Sequence, residues 1–514
     1  MPSVVELSPA PLTPAEVVEV ARGDARVELS SAALAALARA AQRIEELGRS
    51  PEPVYGVSTG FGALATRHIP PESRAQLQRS LIRSHAAGSG PEVEREVIRA
   101  MMLLRLHTLA TGHTGVRPAT ASAYAGMLNA GLTPVVLEYG SLGCSGDLAP
   151  LAHVALALMG EGEVRDEAGR LVPAADALAG AGLAPVELTA KEGLALINGT
   201  DGMLGMLVLA CTDLRRLATT VDLTAAMSVE ALLGTDRVFA ADLQELRPHP
   251  GQAAAASNMR QLLARSAVMD SHRGPDCHLV QDAYSLRCAP QVAGALRDTL
   301  EHAETVAGRE LAAAVDNPVV LDDGRVESNG NFHGAPLGYV LDFLAIAAAD
   351  VASMSERRTD RMLDASRSHG LPPFLAHDAG VDSGHMIAQY TQAAIVSELR
   401  RLAVPASVDS LPTSAMQEDH VSLGWSAARK LRRSLDGLTR VLAIEALTAA
   451  RALDLRAPLS PAPATAAVIA ALRTRIAGPG SDRWLAPEIE LAVSMVADGS
   501  LLAAAASTLP SPLV

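Results

Sequence analysis

Residues 140–153 read Gly-Ser-Leu-Gly-Cys-Ser-Gly-Asp-Leu-Ala-Pro-Leu-Ala-His, with the triplet Cys144-Ser145-Gly146 at the centre. Glycine lacks a Cβ, so its backbone can approach another group unusually closely. The amide nitrogen of Gly146 could therefore attack the carbonyl carbon of Cys144 and close a five-membered ring. Loss of one water at the ring, and of the Ser145 hydroxyl as a second water, would leave an exocyclic methylidene. That group is an electrophile that none of the twenty side chains can supply.

The same stretch has simpler interpretations. A Gly/Ser turn would precede a helix that begins near Leu148, with Asp147 as its N-cap. A hydrolase nucleophile elbow needs Gly-x-Ser-x-Gly, and it is excluded because Asp147 stands two residues after Ser145. Cys144 as a thiol nucleophile would need a histidine base, for which His153 is available. Nothing else in the chain is typical of a thiol enzyme.

The composition favours a mainly helical protein. The chain has 514 residues, is rich in alanine, and is 49% hydrophobic but only 3% aromatic. Alanine is the best helix former, and this length predicts about two to four domains. Two stripes of apolar residues at helical spacing predict core or interface helices: Leu296, Leu300, Ala303, Ala307, Leu311 and Leu431, Leu435, Leu438, Leu442, Ala446.

The net charge and the cysteine content indicate which binding partners and which cellular compartment to expect. The net charge of −14 argues against nucleic acid, which binds a basic face. Every long apolar run is interrupted by charge within about 18 residues, so we expect no membrane partner. The N-terminus has no secretory pattern, and the four cysteines are irregularly spaced. We therefore expect a cytoplasmic protein without disulfides.

Several loops and turns lie between the predicted helices. Residues 54–62 are rich in glycine but lack the phosphate-loop pattern, so a tight or flexible turn is the better interpretation. Residues 76–88 read as a helix ending at Gly88, and residues 161–172 as a small hairpin. A long helix is expected from Lys191 through about Gly234.

The sequence of residues 140–153 closely resembles the cofactor-forming segment of the aromatic amino acid ammonia-lyases. In that family the triplet is usually Ala-Ser-Gly and matures to methylidene-imidazolone, so Cys144 is a departure. The resemblance extends along nearly the whole chain. Further segments that resemble family motifs are Tyr55–Gly62, Ser84–Gly88, Glu192–Asp201, Val280–Cys288, Asn329–Gly334 and Gln417–Ser422.

The resemblance implies a role for each matching residue. Tyr55 would be the catalytic base and Cys144, Ser145 and Gly146 would form the cofactor. Asn198 and Tyr284 would orient the amino group and the cofactor, with Gln281 nearby. For substrate binding, Arg287 would clamp the carboxylate and Phe332 would pack beside the cofactor ring and shield it. His85 and Glu418 would receive an imidazole, and Ser84 would be a further substrate-binding residue.

Two further positions depart from the family pattern. Ser58 stands where the family has asparagine, and Asp201 stands where it has glutamine. An extra carboxylate at Asp201 could repel a bound substrate carboxylate. These departures leave open a related aminomutase or a lyase for another amino acid. A non-enzymatic helical scaffold is a further alternative, disfavoured by the intact motifs.

The fold implied by the resemblance is mainly α, of the ammonia-lyase/fumarase-like superfamily. We expect an N-terminal region, residues 1–200, that carries the base loop and the triplet, and residues 201–514 as a long-helix bundle with a C-terminal helical region. The implied activity is elimination of ammonia from L-histidine to give trans-urocanate. A small amino acid would be the substrate, and the sites of a homotetramer would combine loops from three subunits.

No metal or nucleotide cofactor is expected. His272, Asp276, Cys277 and His278 are close in sequence, but their spacing matches no regular zinc pattern.

Overall fold

The computed structural model describes residues 3–49, 54, 56, 58–60, 62–64, 66–274 and 280–514. The chain divides into two compact units. The first contains Met1–Leu209, Glu304–Asp342 and Pro405–Arg429, and the second contains Ala210–Ala303, Phe343–Val404 and Lys430–Val514.

Helices dominate the described residues, which confirms the mainly α fold predicted from the sequence. In chain order they are α1 (Pro14–Arg22), α2 (Ser31–Gly48), α3 (Arg74–His85), α4 (Arg95–Ala110), α5 (Pro118–Asn129), α6 (Leu148–Leu158), α7 (Ala174–Gly180), α8 (Glu192–Ala195), α9 (Asp201–Ala231), α10 (Ala241–Glu245), α11 (Pro250–Leu262), α12 (Ala267–Asp270), α13 (Tyr284–Arg287), α14 (Ala289–Leu311), α15 (Ala335–Leu363), α16 (Met386–Leu402), α17 (Gly424–Asp454), α18 (Pro463–Arg473), α19 (Ala486–Ala497) and α20 (Ser500–Ala506).

The strands are short and form small sheets. β1 and β2 pair in parallel, β3 pairs with β5 and β8 with β9 antiparallel, and β6 lies between β4 and β7. The predicted hairpin is formed by β6 and β7, with Val164 opposite Val172. The strands are β1 (Val4–Leu7), β2 (Arg26–Leu29), β3 (Ser89–Glu92), β4 (Thr133–Pro134), β5 (Leu137–Tyr139), β6 (Glu163–Arg165), β7 (Leu171–Pro173), β8 (Val319–Val320) and β9 (Val326–Glu327).

Capping residues define the N-terminal ends of α1 and α2. Thr13 and Glu16 form a capping box at the start of α1, with Pro14 in the first turn. The Ser30 hydroxyl accepts a hydrogen bond from the amide of Ala33 at 3.1 Å, so α2 begins at Ser31.

Helix α4 runs through the core of the first unit. Every residue from Val97 to Ala110 is buried, because the helix is apolar on nearly all its faces. Two of its three arginines, Arg99 and Arg105, are also buried and donate to backbone carbonyls. A buried cation is tolerated when it is paired and hydrogen-bonded in this way.

The second unit is a bundle of long helices. The predicted stripe on α17 is buried throughout, from Leu431 to Ala446. A buried ion pair joins Arg358 of α15 to Glu445 of α17 at 2.5 Å, and the Ser228 hydroxyl donates to the same carboxylate at 2.7 Å. Apolar stripes and one satisfied ion pair therefore hold these helices together.

Two predicted helix boundaries are wrong. Helix α3 ends at His85 rather than at Gly88, because the amide of Gly88 donates to His153 Nε2 at 3.1 Å instead of to a helical carbonyl. The long helix expected from Lys191 is interrupted between α8 and α9. The interruption contains Asn198 and Gly199, a pair that favours turns.

Among the described residues, α15 is long and apolar enough to pass a length and hydropathy test for a membrane span, and α19 with α20 passes it as a bent pair. The apolar window of α15 is 61% buried inside the structure, which is usual for a core helix.

Candidate active site

A cavity of about 590 Å³ lies in the first unit. Its described lining combines apolar side chains from α3 and the following segments with a few polar groups, an arrangement typical of small-molecule sites. The polar lining includes Ser84, His85, Ser145, Asn198, Asn317 and Glu418. Of the twelve residues predicted for the site, five therefore share one cavity.

The triplet sits on a tightly held loop. The Gly143 carbonyl accepts hydrogen bonds from the Gly334 amide at 3.0 Å and the Ser422 hydroxyl at 2.8 Å. Gly146 has φ of +73°, and a Cβ there would lie 2.2 Å from the carbonyl oxygen of Gly199. Only glycine fits such a position, so the close backbone approach expected from the sequence is present.

Asp147 occupies the N-cap position of α6, as predicted, but its side chain binds elsewhere. The carboxylate accepts from the amides of Gly202 and Met203 at 2.9 Å each and from the Ser141 hydroxyl at 2.8 Å. It therefore binds the N-terminal turn of α9, where the helix dipole favours a negative charge. Burial nevertheless raises the pKa of Asp147 to about 7.

Glu418 links the triplet to the cavity. Its carboxylate accepts from the Ser145 hydroxyl at 3.2 Å and from the Cys144 thiol at 3.1 Å. The Thr413 hydroxyl donates to the same carboxylate at 3.1 Å, which anchors it across an antiparallel bridge between Thr413 and Glu418.

Cys144 is unsuited to act as a thiol nucleophile. Burial, reinforced by the hydrogen bond to Glu418, raises the pKa of the thiol to about 12, whereas a nucleophilic thiol needs a lowered pKa. His153, the base considered from the sequence, accepts its hydrogen bond from the Gly88 amide. The thiol-enzyme interpretation therefore fails.

His85 presents a neutral ring. Its Nδ1 lies 2.9 Å from the carbonyl oxygen of Leu81, so we assign the proton to Nδ1 and the lone pair to Nε2. Burial lowers the pKa of His85, opposed by the hydrogen bond to Leu81. The Ser84 hydroxyl donates to the same carbonyl at 3.0 Å. A neutral imidazole with a free Nε2 is a hydrogen-bond acceptor.

Asn198 has an unused acceptor. Its Nδ2 donates to the carbonyl of Asn317 at 3.3 Å, while its buried Oδ1 has no hydrogen-bond partner. Buried polar atoms are normally satisfied, so an unsatisfied acceptor on a cavity wall indicates a place for a donor from a ligand.

The two departures, Ser58 and Asp201, are absent from the described lining of the cavity. The buried Ser58 hydroxyl accepts from the Val54 amide at 2.9 Å. Asp201 is 4% exposed and forms an ion pair with Arg105 at 3.1 Å. The expectation that Asp201 would repel a substrate carboxylate is therefore wrong, because its charge is matched by Arg105.

The remaining described candidates lie outside this lining. Gln281, Tyr284 and Arg287 belong to the second unit, where Tyr284 is 69% exposed and the Arg287 guanidinium lies 4.6 Å from the centre of its ring. Phe332 is half-buried, in the turn whose Gly334 amide binds the triplet loop.

Some predicted residues lie outside the described part of the chain. Tyr55 is one, as are Asp276, Cys277 and His278 of the metal alternative. Both ring nitrogens of His272 contact backbone carbonyls, of Val268 at 3.0 Å and Gly234 at 2.9 Å. Within the described residues, no group of three or more His, Cys, Asp or Glu side chains is arranged to hold a metal ion.

Sequence reasoning missed Arg105 and Asn317. An arginine in the apolar run of α4 was a usable signal, because a buried cation requires partners. Asn317 gave none, since it reaches the cavity wall from a segment more than a hundred residues away from Asn198.

Comparison with known proteins agrees with this geometry. The family model described as aromatic amino acid lyase matches residues 12–474. The chain is 66% identical to a histidine ammonia-lyase of Streptomyces avermitilis over 503 residues, covering 98% of each chain. It is 67% identical to one of Streptomyces griseus over 495 residues, covering 96% of each. The chain therefore belongs to the aromatic amino acid lyase family, as its motifs predicted.

Solved structures share the fold. Histidine ammonia-lyase from Trypanosoma cruzi superposes with a TM-score of 0.90 at 36% identity, covering 99% of this chain and 96% of that one. A tyrosine aminomutase from Streptomyces globisporus gives a TM-score of 0.93 at 38% identity, covering 99% and 100%. The fold alone therefore does not separate lyases from aminomutases.

Proposed function

We propose that this chain is a carbon–nitrogen lyase that converts L-histidine to trans-urocanate and ammonia. The observation that carries the proposal is the Glu418 carboxylate, which faces the same cavity as His85 and lies 3.2 Å from the Ser145 hydroxyl. Both groups accept hydrogen bonds, so they suit a side chain that carries N–H donors. The histidine ammonia-lyases that this chain resembles support the same substrate.

We propose methylidene-imidazolone, formed from Cys144-Ser145-Gly146, as the cofactor. The residues present fit this group. There is no room for a Cβ on Gly146 beside the Gly199 carbonyl, and Ser145 lines the cavity. The group supplies an electrophile for the amino group of the substrate, a form of covalent catalysis. Neither a metal nor a nucleotide is required by this proposal.

The chain's own residues would bind and orient the substrate. Glu418 accepts one N–H of the substrate ring, and Nε2 of His85 accepts the other N–H when that ring is an imidazolium. The unsatisfied Oδ1 of Asn198 receives an N–H of the amino group. Tyr55 removes the β-proton as a general base. A phenol has an ordinary pKa near 10, so this role requires surroundings that stabilise its anion.

The carboxylate clamp would come from a neighbouring copy of the chain in a homotetramer. Arg287 offers a planar fork suited to a carboxylate, and its buried Nε has no hydrogen-bond partner. Tyr284 is exposed beside it. In the homotetramer, Gln281, Tyr284 and Arg287 of other subunits would complete each cavity. Phe332 would shield the cofactor ring.

A cytoplasmic location is proposed with this function. The described cysteines, Cys144, Cys211 and Cys288, are all free thiols, as expected in a reducing compartment.

An aminomutase is the second candidate, because a tyrosine aminomutase superposes closely. Product analysis with histidine, tyrosine and phenylalanine separates the two. The proposal expects urocanate and ammonia from histidine. A β-amino acid as the main product, or turnover of tyrosine without turnover of histidine, would contradict it.

A further inference from the structure

Arg105 is a fully buried arginine that donates to three backbone carbonyls on two separate segments of the first unit. Its Nη1 donates to the carbonyls of Ala195 and Asn198, both at 3.0 Å. Its Nη2 donates to the carbonyl of Val315 at 2.9 Å. A planar guanidinium can make such divergent contacts at once, and a lysine ammonium on a flexible stem does so poorly.

Asp201 supplies the opposite charge. Its Oδ2 lies 3.1 Å from Arg105 Nε, and its Oδ1 accepts from Nη2 at 3.4 Å. Both side chains are almost completely buried. A charge buried this deeply requires its partner, so Asp201 holds the guanidinium in place against the three carbonyls.

The segments that Arg105 joins are two walls of the cavity. The Val315 carbonyl is followed by Asp316, whose carboxylate pairs with Lys191 at 2.5 Å in a fully buried contact. Next comes Asn317, which accepts from the Asn198 amide. Arg105 therefore fixes the distance between the Asn198 turn and the Asn317 wall.

The same turn contacts the triplet. The carbonyl of Gly199 accepts a hydrogen bond from the Asp147 amide at 2.7 Å, and its oxygen would lie 2.2 Å from a Cβ placed on Gly146. A shift of the turn would thus move both the Asn198 amide and the backbone against which Gly146 is packed.

We propose that Arg105 and Asp201 are positioning residues, which hold the Asn198–Gly199 turn in register with the triplet and with the cavity. Neither side chain lines the cavity as described, so both would act through the turn. The kinetic part of this inference rests on the proposed function, whereas the effect on ring formation does not depend on the substrate.

The test compares Arg105→Lys with Arg99→Lys. Arg99 lies on the same helix, is 2% exposed, and donates to the carbonyls of Val20 and Leu128 at 2.9 and 3.1 Å. Those carbonyls belong to neither the Asn198 turn nor the triplet. Both variants therefore lose a guanidinium group that is buried to a similar extent, but only Arg105→Lys loses the contacts to the Asn198–Gly199 turn.

Two quantities are measured per folded chain: the fraction that carries the ring, from intact mass and near-ultraviolet absorbance, and the turnover of histidine. A misplacement near 1 Å can lower a rate by about 100-fold. We therefore expect Arg105→Lys to lose at least about tenfold in turnover per folded chain, with part of the loss visible as a lower ring fraction. Arg99→Lys should keep both quantities per folded chain close to wild type, because its carbonyl partners, Val20 and Leu128, lie outside the Asn198 turn and the triplet. Equal losses in both variants, or none in either, would overturn the inference.

Asp201→Gln covers the case in which Arg105→Lys does not fold. The amide keeps an acceptor for Arg105 but removes the charge, so a smaller loss in the same two quantities is expected. An unchanged ring fraction and unchanged turnover in Asp201→Gln would overturn the role of the ion pair. Absence of histidine turnover in wild type would instead refute the proposed function, and the ring fraction would still decide the role of Arg105.

Discussion

At the scale of single residues, Ser145 is the group on which the proposed chemistry depends. Ser145→Ala removes the hydroxyl that must leave as water, so the variant should lack the near-ultraviolet absorbance of the ring and most of the activity. The loss of side-chain volume is small, and the fold should be retained by circular dichroism. A Ser145→Ala protein with full activity would contradict the mechanism.

The thiol of Cys144 should be dispensable. The proposed ring uses only the backbone of Cys144, and the Glu418 carboxylate keeps its hydrogen bond from Thr413 when the thiol is removed. We expect Cys144→Ala to form the ring and to turn over histidine at a rate close to wild type. A folded Cys144→Ala chain whose intact mass shows no loss of water would mean that the thiol takes part in ring formation.

Tyr55→Phe tests the proposed base. The substitution keeps the aromatic ring and removes the oxygen that would accept the β-proton. A lost general base lowers turnover by about 100-fold or more, so steady-state assays should show a fall of at least that size with the ring absorbance intact. Turnover near wild type would place the base on another residue.

Sequence reasoning was most successful for residues inside motifs. Ser84, His85, Ser145, Asn198 and Glu418 were all singled out, and all line one cavity. Arg105 and Asn317 escaped because neither stands in a motif, and their importance arises from contacts between distant segments. The effect of Asp201 was misjudged for the same reason, since nothing in its local sequence reveals Arg105 as its partner.

At the scale of secondary-structure elements, the turn before α6 is the most constrained segment. Gly146→Ala places a Cβ 2.2 Å from the Gly199 carbonyl oxygen, at φ of +73°. We expect loss of the ring and of activity, measured by absorbance and turnover. Gly182→Ala is the matched control, because Gly182 has φ of +70° but nothing within 4 Å.

Gly182→Ala should retain the ring and the activity, and should lose about 1–2 kcal/mol of unfolding free energy from left-handed strain alone. Similar ring formation in the two glycine variants would show that the contact with Gly199 is unimportant.

Periodicity predicted the long helices, because an apolar stripe must be buried wherever it packs. The buried stripes of α14 and α17 follow the predicted positions. Helix ends were harder to predict, since they depend on distant partners. Helix α3 stops at His85 because Gly88 binds His153, a contact between residues 65 positions apart. The predicted division of the chain at residue 200 stays a prediction.

At the scale of the whole molecule, the proposed sharing of sites between subunits can be tested by mixing two inactive variants. Ser145→Ala removes the triplet hydroxyl in the first unit, and Arg287→Met removes the proposed clamp in the second. Suppose that each site takes Ser145 and Arg287 from different chains of a symmetric oligomer. Random assembly of equal amounts of the two variants then gives about one quarter of the sites both wild-type residues. Activity of the co-expressed mixture measures this.

Ser145→Ala mixed with Asn198→Ala is the control, since both residues line the same cavity of one chain. That mixture should stay inactive beyond the residual activity of its parents. Recovery in the control, or none with Arg287→Met, would contradict shared sites.

The central claim is that Glu418 selects an imidazole substrate, and it is tested most directly by kcat/KM for histidine and phenylalanine in wild type and Glu418→Gln. Phenylalanine brings no N–H donor to the half-buried Glu418 carboxylate. A hydrogen bond to a charged group contributes roughly 1.5–3 kcal/mol, so wild type should favour histidine over phenylalanine by at least about tenfold. Glu418→Gln should sharply lower kcat/KM for histidine, reduce that preference and keep the ring absorbance. A wild-type enzyme that prefers phenylalanine, or a preference unchanged in Glu418→Gln, would contradict the account.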